Sequence, residues 1–179
     1  MRNSKTLKTT YSALFLCLAL VLPLLTGQIK IFGKMLNLMH VAVFLCGMAC
    51  GGFYGGIVGA IAPLLRSVTF GMPTLYPNAV AMAFELCAYG LIAGLLYKKL
   101  FNFKGGIYIS LIASMIVGRI VWGIATLILY SFMGDVFTFA LFIKGAFVDS
   151  VVGIVLHLII VPLVVIVLKK ARLLLINRY

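Results

Sequence analysis

The sequence predicts an all-α integral membrane protein, a six-transmembrane-helix bundle with both termini in the cytoplasm, and three observations carry that expectation. Apolar residues make up 64% of the 179 positions, with a mean hydropathy of +1.23. A soluble domain of this size cannot hide so much apolar surface, because its rim must face water. The apolar residues fall into helix-length runs, and at ~20 residues per ~30 Å crossing the chain has room for about six. The basic residues behind the net charge of +12 lie between these runs, mostly on one side, as expected of cytoplasmic loops. Cations scattered in this way form no basic face, which argues against nucleic acid as a partner.

The first span is read at residues 7–26, after Arg2, Lys5 and Lys8, with Pro23 near its far end. These basic residues ahead of YSALFLCLALVLPLL have the outline of a signal peptide but no clean small-x-small cleavage site, so the segment is read as a retained span. A polar connector, GQIKIFGKMLN, leads into LMHVAVFLCGMACGGFYGGIVGAIAPLLR. As one helix that run would extend about 43 Å, too long for the hydrocarbon core without severe tilt.

Gly51, Gly52, Gly55 and Gly56 sit at its middle, suited to a tight turn or to close helix contact. Cutting there gives spans at 37–51 and 53–66. It also places Arg2, Lys5, Lys8, Lys98, Lys99, Lys104, Lys169, Lys170, Arg172 and Arg178 on one side, with Lys30, Lys34, Arg66 and Lys144 on or near the other. Left uncut, the run sends the loop at 98–104 and the C-terminal cluster outside, against the positive-inside tendency. The shaped connector SVTFGMPTLYPNA introduces span four at 78–97, and spans five and six follow at 106–132 and 141–168, joined by MGDVFTFA. There is no internal repeat and no linker, so residues 1–179 are read as a single transmembrane domain.

Charge inside an apolar span marks function or a structural pair. By helix rise, Glu85, Asp149 and Arg119 fall near mid-membrane, so the expectation is one arginine facing two acids. Such a set either locks three helices in register or lets Arg119 or Lys144 receive a substrate carboxylate or phosphate. Asn37, His40, Tyr76, Asn78, Trp122 and Tyr130 gather toward the outer side as an amphipathic cup, the form of a small-molecule site, although interfacial anchoring explains Tyr76, Trp122 and Tyr130 equally well. Arg66 either snorkels to the headgroups or closes that cup from above. His157 is placed in the inner half of span six, far from the cup, as a helix-packing hydrogen bond. The pairs Gly47-x3-Gly51 and Gly55-x3-Gly59 permit close helix contact, and Cys17, Cys46, Cys50 and Cys87 read as small core residues.

Catalysis has little to stand on. GxxxxGK[ST], HExxH and GxSxG are all missing, and Cys46 and Cys50 do not have CxxC spacing. Three acidic residues make a carboxylate-rich metal site or proton relay hard to build. The expectation is therefore a non-enzyme with no metal and no cofactor, a pocket that borrows its energy elsewhere.

Its size, the six spans with both ends inside, the short first connector and the Gly-rich hinge resemble the substrate-binding subunit of an energy-coupling factor transporter. The stretch LNLMHVAVFLCGMACGGFYGGIVGAIAPLLRSVTFGMPTLYPNAVAMAFELCAYGLIAGLLY is similar in general pattern to the pantothenate-, folate- and hydroxymethylpyrimidine-type branch. The resemblance implies a multi-pass protein of a prokaryotic cell membrane that captures a vitamin-like small molecule on its outer face. Its implied partners are a transmembrane coupling subunit and two cytoplasmic ATPases. By region, it nominates Asn37, His40, Arg66, Tyr76, Asn78, Glu85, Arg119, Trp122, Lys144 and Asp149 for the substrate. It also nominates Ala13 and Cys17, in place of the family's Ala-x3-Ala pair, for docking to the coupling subunit. Two rivals stand beside this reading: a self-sufficient homo-oligomeric channel or facilitator, and an intramembrane lipid enzyme with His40 or Glu85 as base.

Overall fold

The computed structural model describes residues 4–26, 37–134 and 138–176. Secondary structure among them is helical: α1 (Ser4–Val21), α2 (Leu38–Cys50), α3 (Gly52–Phe70), α4 (Val80–Lys99), α5 (Gly106–Met133), α6 (Phe139–Ile143) and α7 (Val151–Lys170). A 3-10 turn, Leu22–Thr26, extends α1 beyond Val21, and wider π-type turns, Leu75–Ala79 and Lys144–Val148, precede α4 and α7. The connector at 27–36 and Arg178 lie outside the described residues, as does the middle of MGDVFTFA.

Among the described residues five stretches are long and apolar enough to cross a membrane: Lys5–Leu24, Gly52–Phe70, Leu75–Lys99, Gly106–Met133 and Phe139–Lys170. The expected span at 37–51 is the exception, a helix of 13 residues about 20 Å long, too short to cross a ~30 Å core alone. Other bounds shift as well. Span three runs on to Phe70, four residues past the expected end, and stops where Gly71 takes φ 67°. Span six, expected as continuous over 141–168, is interrupted at Lys144–Ser150.

α2 is the axis of the bundle. Every residue from Met39 to Cys50 is buried, and a helix that is apolar on all sides must be surrounded. Its neighbours are α1, α3, α4 and α7, while α4 packs against α2, α3 and α5. The turn from α2 to α3 depends on Gly51 at φ 110°, a conformation that a side chain strongly disfavours, and its N–H closes onto Gly47 O at 3.0 Å.

The glycine spacing acts at a three-helix contact. A Cβ at Gly47 would strike the Gly90 carbonyl, one at Gly90 the Gly55 backbone, and one at Gly94 the backbones of Gly47 and Gly52. α2, α3 and α4 therefore meet backbone to backbone, the close approach that small residues permit in lipid. Gly90 and Gly94 supply the α4 half, which the motifs on spans two and three did not reveal.

Lys98 and Lys99 of α4, Lys104, and Lys169 and Lys170 of α7 share one end of the bundle with Lys5 and Lys8 of α1. Lys169 Nζ bonds Phe101 O at 3.2 Å and lies 4.3 Å from that ring's centroid, and Ser12 meets Cys46 at 3.8 Å. Beyond α7 the chain turns back, Leu175 N bonds Ala49 O at 2.8 Å, and Leu174, Leu175 and Ile176 are buried beneath α2. The opposite end carries Arg66, whose Nη1 bonds Leu20 O at 3.0 Å near the close of α1.

Candidate functional site

Measured from the basic end, three polar side chains reach one level. Glu85 is about 21 Å along α4 from Lys99, while Arg119 is about 20 Å along α5 from Gly106 and His157 about 20 Å along α7 from Lys170. His40, in the first turn of α2, comes to the same place. The four helices thereby converge on one buried cluster. Glu85, His40 and His157 are each 2% exposed and Arg119 8%, low enough that each polar atom needs a protein or ligand partner.

Glu85 is its centre. Its Oε1 accepts from Arg119 Nη1 at 2.8 Å and from Tyr89 OH at 2.8 Å, one helical turn deeper on α4. Its Oε2 faces His40 Nε2 at 4.0 Å, too far for a hydrogen bond. The rings stack into a wall: His40 lies 5.7 Å from His157 with planes 18° apart and 5.5 Å from Tyr89, and Phe44 lies 4.9 Å from Tyr89.

His157 contributes at one nitrogen only. Its Nε2 lies 3.2 Å from the carbonyl of Asn37, which can only accept, so in the neutral ring Nε2 carries the proton and Nδ1 is a bare acceptor. Asn37 itself holds φ 46° ahead of α2, and its carbonyl also takes the N–H of His40 at 3.0 Å.

Several buried polar atoms here have no hydrogen-bond partner among the described residues: both ring nitrogens of His40, Nδ1 of His157, Nε of Arg119 and, two turns outward on the same face of α5, Oγ1 of Thr126. Leaving such a group unmade costs about 1–3 kcal/mol each, so their concentration in one place has the character of a receptor. The cluster is also a floor. α2 begins at its level, whereas α5 continues about 21 Å further to Met133. Among the described residues no three His, Cys, Asp or Glu side chains are grouped to hold a metal ion.

The residues expected from the sequence divide accordingly. Asn37, His40, Glu85 and Arg119 meet at the floor. Asp149 does not, correcting the expectation of one arginine between two acids: it lies about 30 Å from the basic end, roughly 10 Å beyond Arg119, and makes no ion pair with a described residue. Lys144, in the wider turn ahead of it, is exposed. Arg66 is buried in the last turns of α3. Its bond to Leu20 O ties α3 to α1, and its guanidinium lies 5.5 Å from the ring centroid of Phe70 on its own helix.

Tyr76 OH reaches Leu129 O at 3.0 Å, bracing the far part of α5, and Asn78 Nδ2 bonds Thr74 Oγ1 at 2.7 Å within its own turn. Trp122 stacks on Phe142 at 6.1 Å. Ala13 and Cys17 are exposed on one face of α1, away from the cluster.

Two cluster members were not expected. His157, expected in the inner half of span six and far from the cup, comes level with Arg119 when counted along α7 from Lys170. Tyr89 stands four residues after Glu85, on the same helix face, and that spacing was the available signal.

The model of one protein family, described as ECF transporter, substrate-specific component, matches residues 7–165. Searches of curated proteins and of solved structures gave no significant match. A match over most of the chain, on a helical bundle with five membrane-length stretches, makes this a multi-pass cell membrane protein, and the chain belongs to the family of substrate-specific components of ECF transporters.

Proposed function

We propose that this chain is the binding subunit of an importer: it captures one vitamin-like micronutrient in the cup above the His40, Glu85, Arg119 and His157 floor. Family membership supports the transport role. The observation that carries the location is the set of buried, unpartnered polar atoms on that floor. The chain forms one transmembrane domain of six helices, α2 being the short central one. Its basic end faces the cytoplasm by the positive-inside rule, so the cup opens outward and both termini lie inside.

Delivery then requires partners, because the sequence holds no nucleotide-binding loop. In this reading the exposed Ala13 and Cys17 face of α1 meets a transmembrane coupling subunit driven by two ATPases. The channel alternative is disfavoured by the placement of the charges: Arg119 and Glu85 pair inside one chain, leaving no charged stripe for a shared pore.

Native mass spectrometry of protein gently purified from its own host tests the reading. One retained small molecule per chain, with co-purifying ATPase subunits, is the expected result. A defined homo-oligomer with neither ligand nor partner would instead favour a channel.

A further inference from the structure

The basic end of the bundle carries charge that the chain's own side chains do not answer. Lys98 and Lys99 close α4, Lys104 lies in the connector to α5, and Lys169 and Lys170 close α7, all of them exposed. The whole sequence holds three acidic side chains, and each lies away from this end. Glu85 is about 21 Å along α4 from Lys99, and Asp149 is about 30 Å from Lys170. Asp135 directly follows Gly134, the cap at the far end of α5, about 40 Å from Gly106. The helix ends answer only part of the charge. A helix C-terminus presents about half a negative charge, so the ends of α4 and α7 together offset about one cation.

These lysines are gathered by a defined turn. Lys169 Nζ donates to Phe101 O at 3.2 Å and lies 4.3 Å from the Phe101 ring centroid, which holds the end of α7 against the connector between α4 and α5. That connector is a run of tight turns, with Phe103 N on Leu100 O at 2.9 Å and Gly106 N on Phe103 O at 3.0 Å, and a Cβ at Gly106 would strike the Leu100 carbonyl. Lys98, Lys99 and Lys104 all stand within three residues of Phe101 in the chain. An ammonium has three N–H donors, so Lys169 keeps two for a further partner.

Depth selects the kind of partner. The membrane-length stretches Leu75–Lys99 and Phe139–Lys170 end on these lysines, which places the ammonium groups at the level of the headgroups. Phe103, 61% exposed, stands among them, and exposed apolar side chains lead from there into the spans, Ile109 and Ile112 on α5 and Leu163 and Val167 on α7. Cations at headgroup depth beside apolar tracks at acyl depth match a phospholipid. An acidic soluble protein would answer the lysines but leave the tracks unused.

We propose that the α4–α5 connector and the end of α7 form a binding site for an anionic phospholipid, its phosphate held among the lysines of both elements and its acyl chains lying along α5 and α7. Basic pockets beside spans take lipid headgroups in this way. The site is separate from the His40 and Glu85 cluster and independent of what binds there.

The test strips lipid from the full chain in detergent, titrates it with phosphatidylglycerol or phosphatidylcholine of the same acyl chains, and counts bound lipid by native mass spectrometry. Phosphatidylglycerol is expected to be retained roughly fivefold better, and glycerol 3-phosphate, the headgroup without tails, is not expected to displace it. Lys98→Gln with Lys104→Gln and Lys169→Gln should bring the two lipids level. Lys5→Gln with Lys8→Gln, on α1, which packs on α2 and α3, should keep the preference. Equal retention of the two lipids by the wild type, or an unchanged preference in the triple variant, overturns the proposal. Displacement by glycerol 3-phosphate reassigns the site to a soluble phosphate, and an equal loss in the α1 variant reduces it to diffuse charge; either result also overturns it. Where the triple variant does not fold, the pair Lys98→Gln and Lys104→Gln decides.

Discussion

Glu85 Oε1 accepts two hydrogen bonds, at 2.8 Å each, from Arg119 and Tyr89, so removing the arginine strands a buried carboxylate. Breaking a buried pair from one side costs about 3–5 kcal/mol, whereas replacing both partners with apolar groups of similar volume is often neutral. Arg119→Ala should therefore lower stability by about that amount, read by denaturant or thermal unfolding in detergent. The double variant Glu85→Leu with Arg119→Leu should recover most of the loss and still bind no ligand. Recovery of binding along with stability would reduce the pair to a structural clamp. At this scale the sequence was only partly legible. His40, Glu85 and Arg119 announced themselves as polar groups in apolar runs, but which acid the arginine takes depended on the length of α7, which carries Asp149 about 30 Å from the basic end and beyond Arg119. His157 shows the same limit from the other side, since its level is set by where α7 ends.

Helix packing here is governed by what is missing from the side chains. Gly90 contacts the Gly55 backbone so closely that a Cβ could not be accommodated without moving a helix, whereas a Cβ at Gly56 would meet Leu91 and Cys87 at 3.4 to 3.6 Å, ordinary contact. Gly90→Ala should destabilise by about 1–3 kcal/mol, as overpacking does, and should weaken binding because α4 also carries Glu85. Gly56→Ala should change neither by more than a few tenths of a kcal/mol. Equal melting temperatures for the two variants would show that the backbone contacts are not limiting. The Gly51 turn and the α2–α3 contact were readable from clustered glycines, and Gly90-x3-Gly94 repeats the same spacing on span four, but spacing alone does not say which helices such a face meets. On α1, Ser12, Phe15 and Ala19 face the core while Ala13 and Cys17 face outward. Ala13→Trp should therefore leave ligand affinity unchanged and abolish co-purification of a coupling subunit. Retained co-purification would remove that face from the docking surface.

At the scale of the molecule, a short buried helix packs inside four longer ones. α2 spans about 20 Å; its basic end is covered by the buried Leu174–Ile176 segment, and its other end begins at the level of His40. Composition was enough to predict helices and membrane, because these depend on totals. That α2 is the central helix was not legible, since a short apolar run reads alike whether it faces lipid or protein. The central claim is that the His40, Glu85, Arg119 and His157 floor is where the ligand rests, and the chain offers a direct probe of it. Its two histidines are His40 and His157, both in the cluster. Nitrogen-labelled histidine in the full chain would report the ring nitrogens with and without the retained ligand. The account predicts that occupancy shifts the resonances of His40 and of Nδ1 of His157 and that removing the ligand reverses the shift. Ring signals that stay in place while one ligand per chain binds and leaves would contradict it.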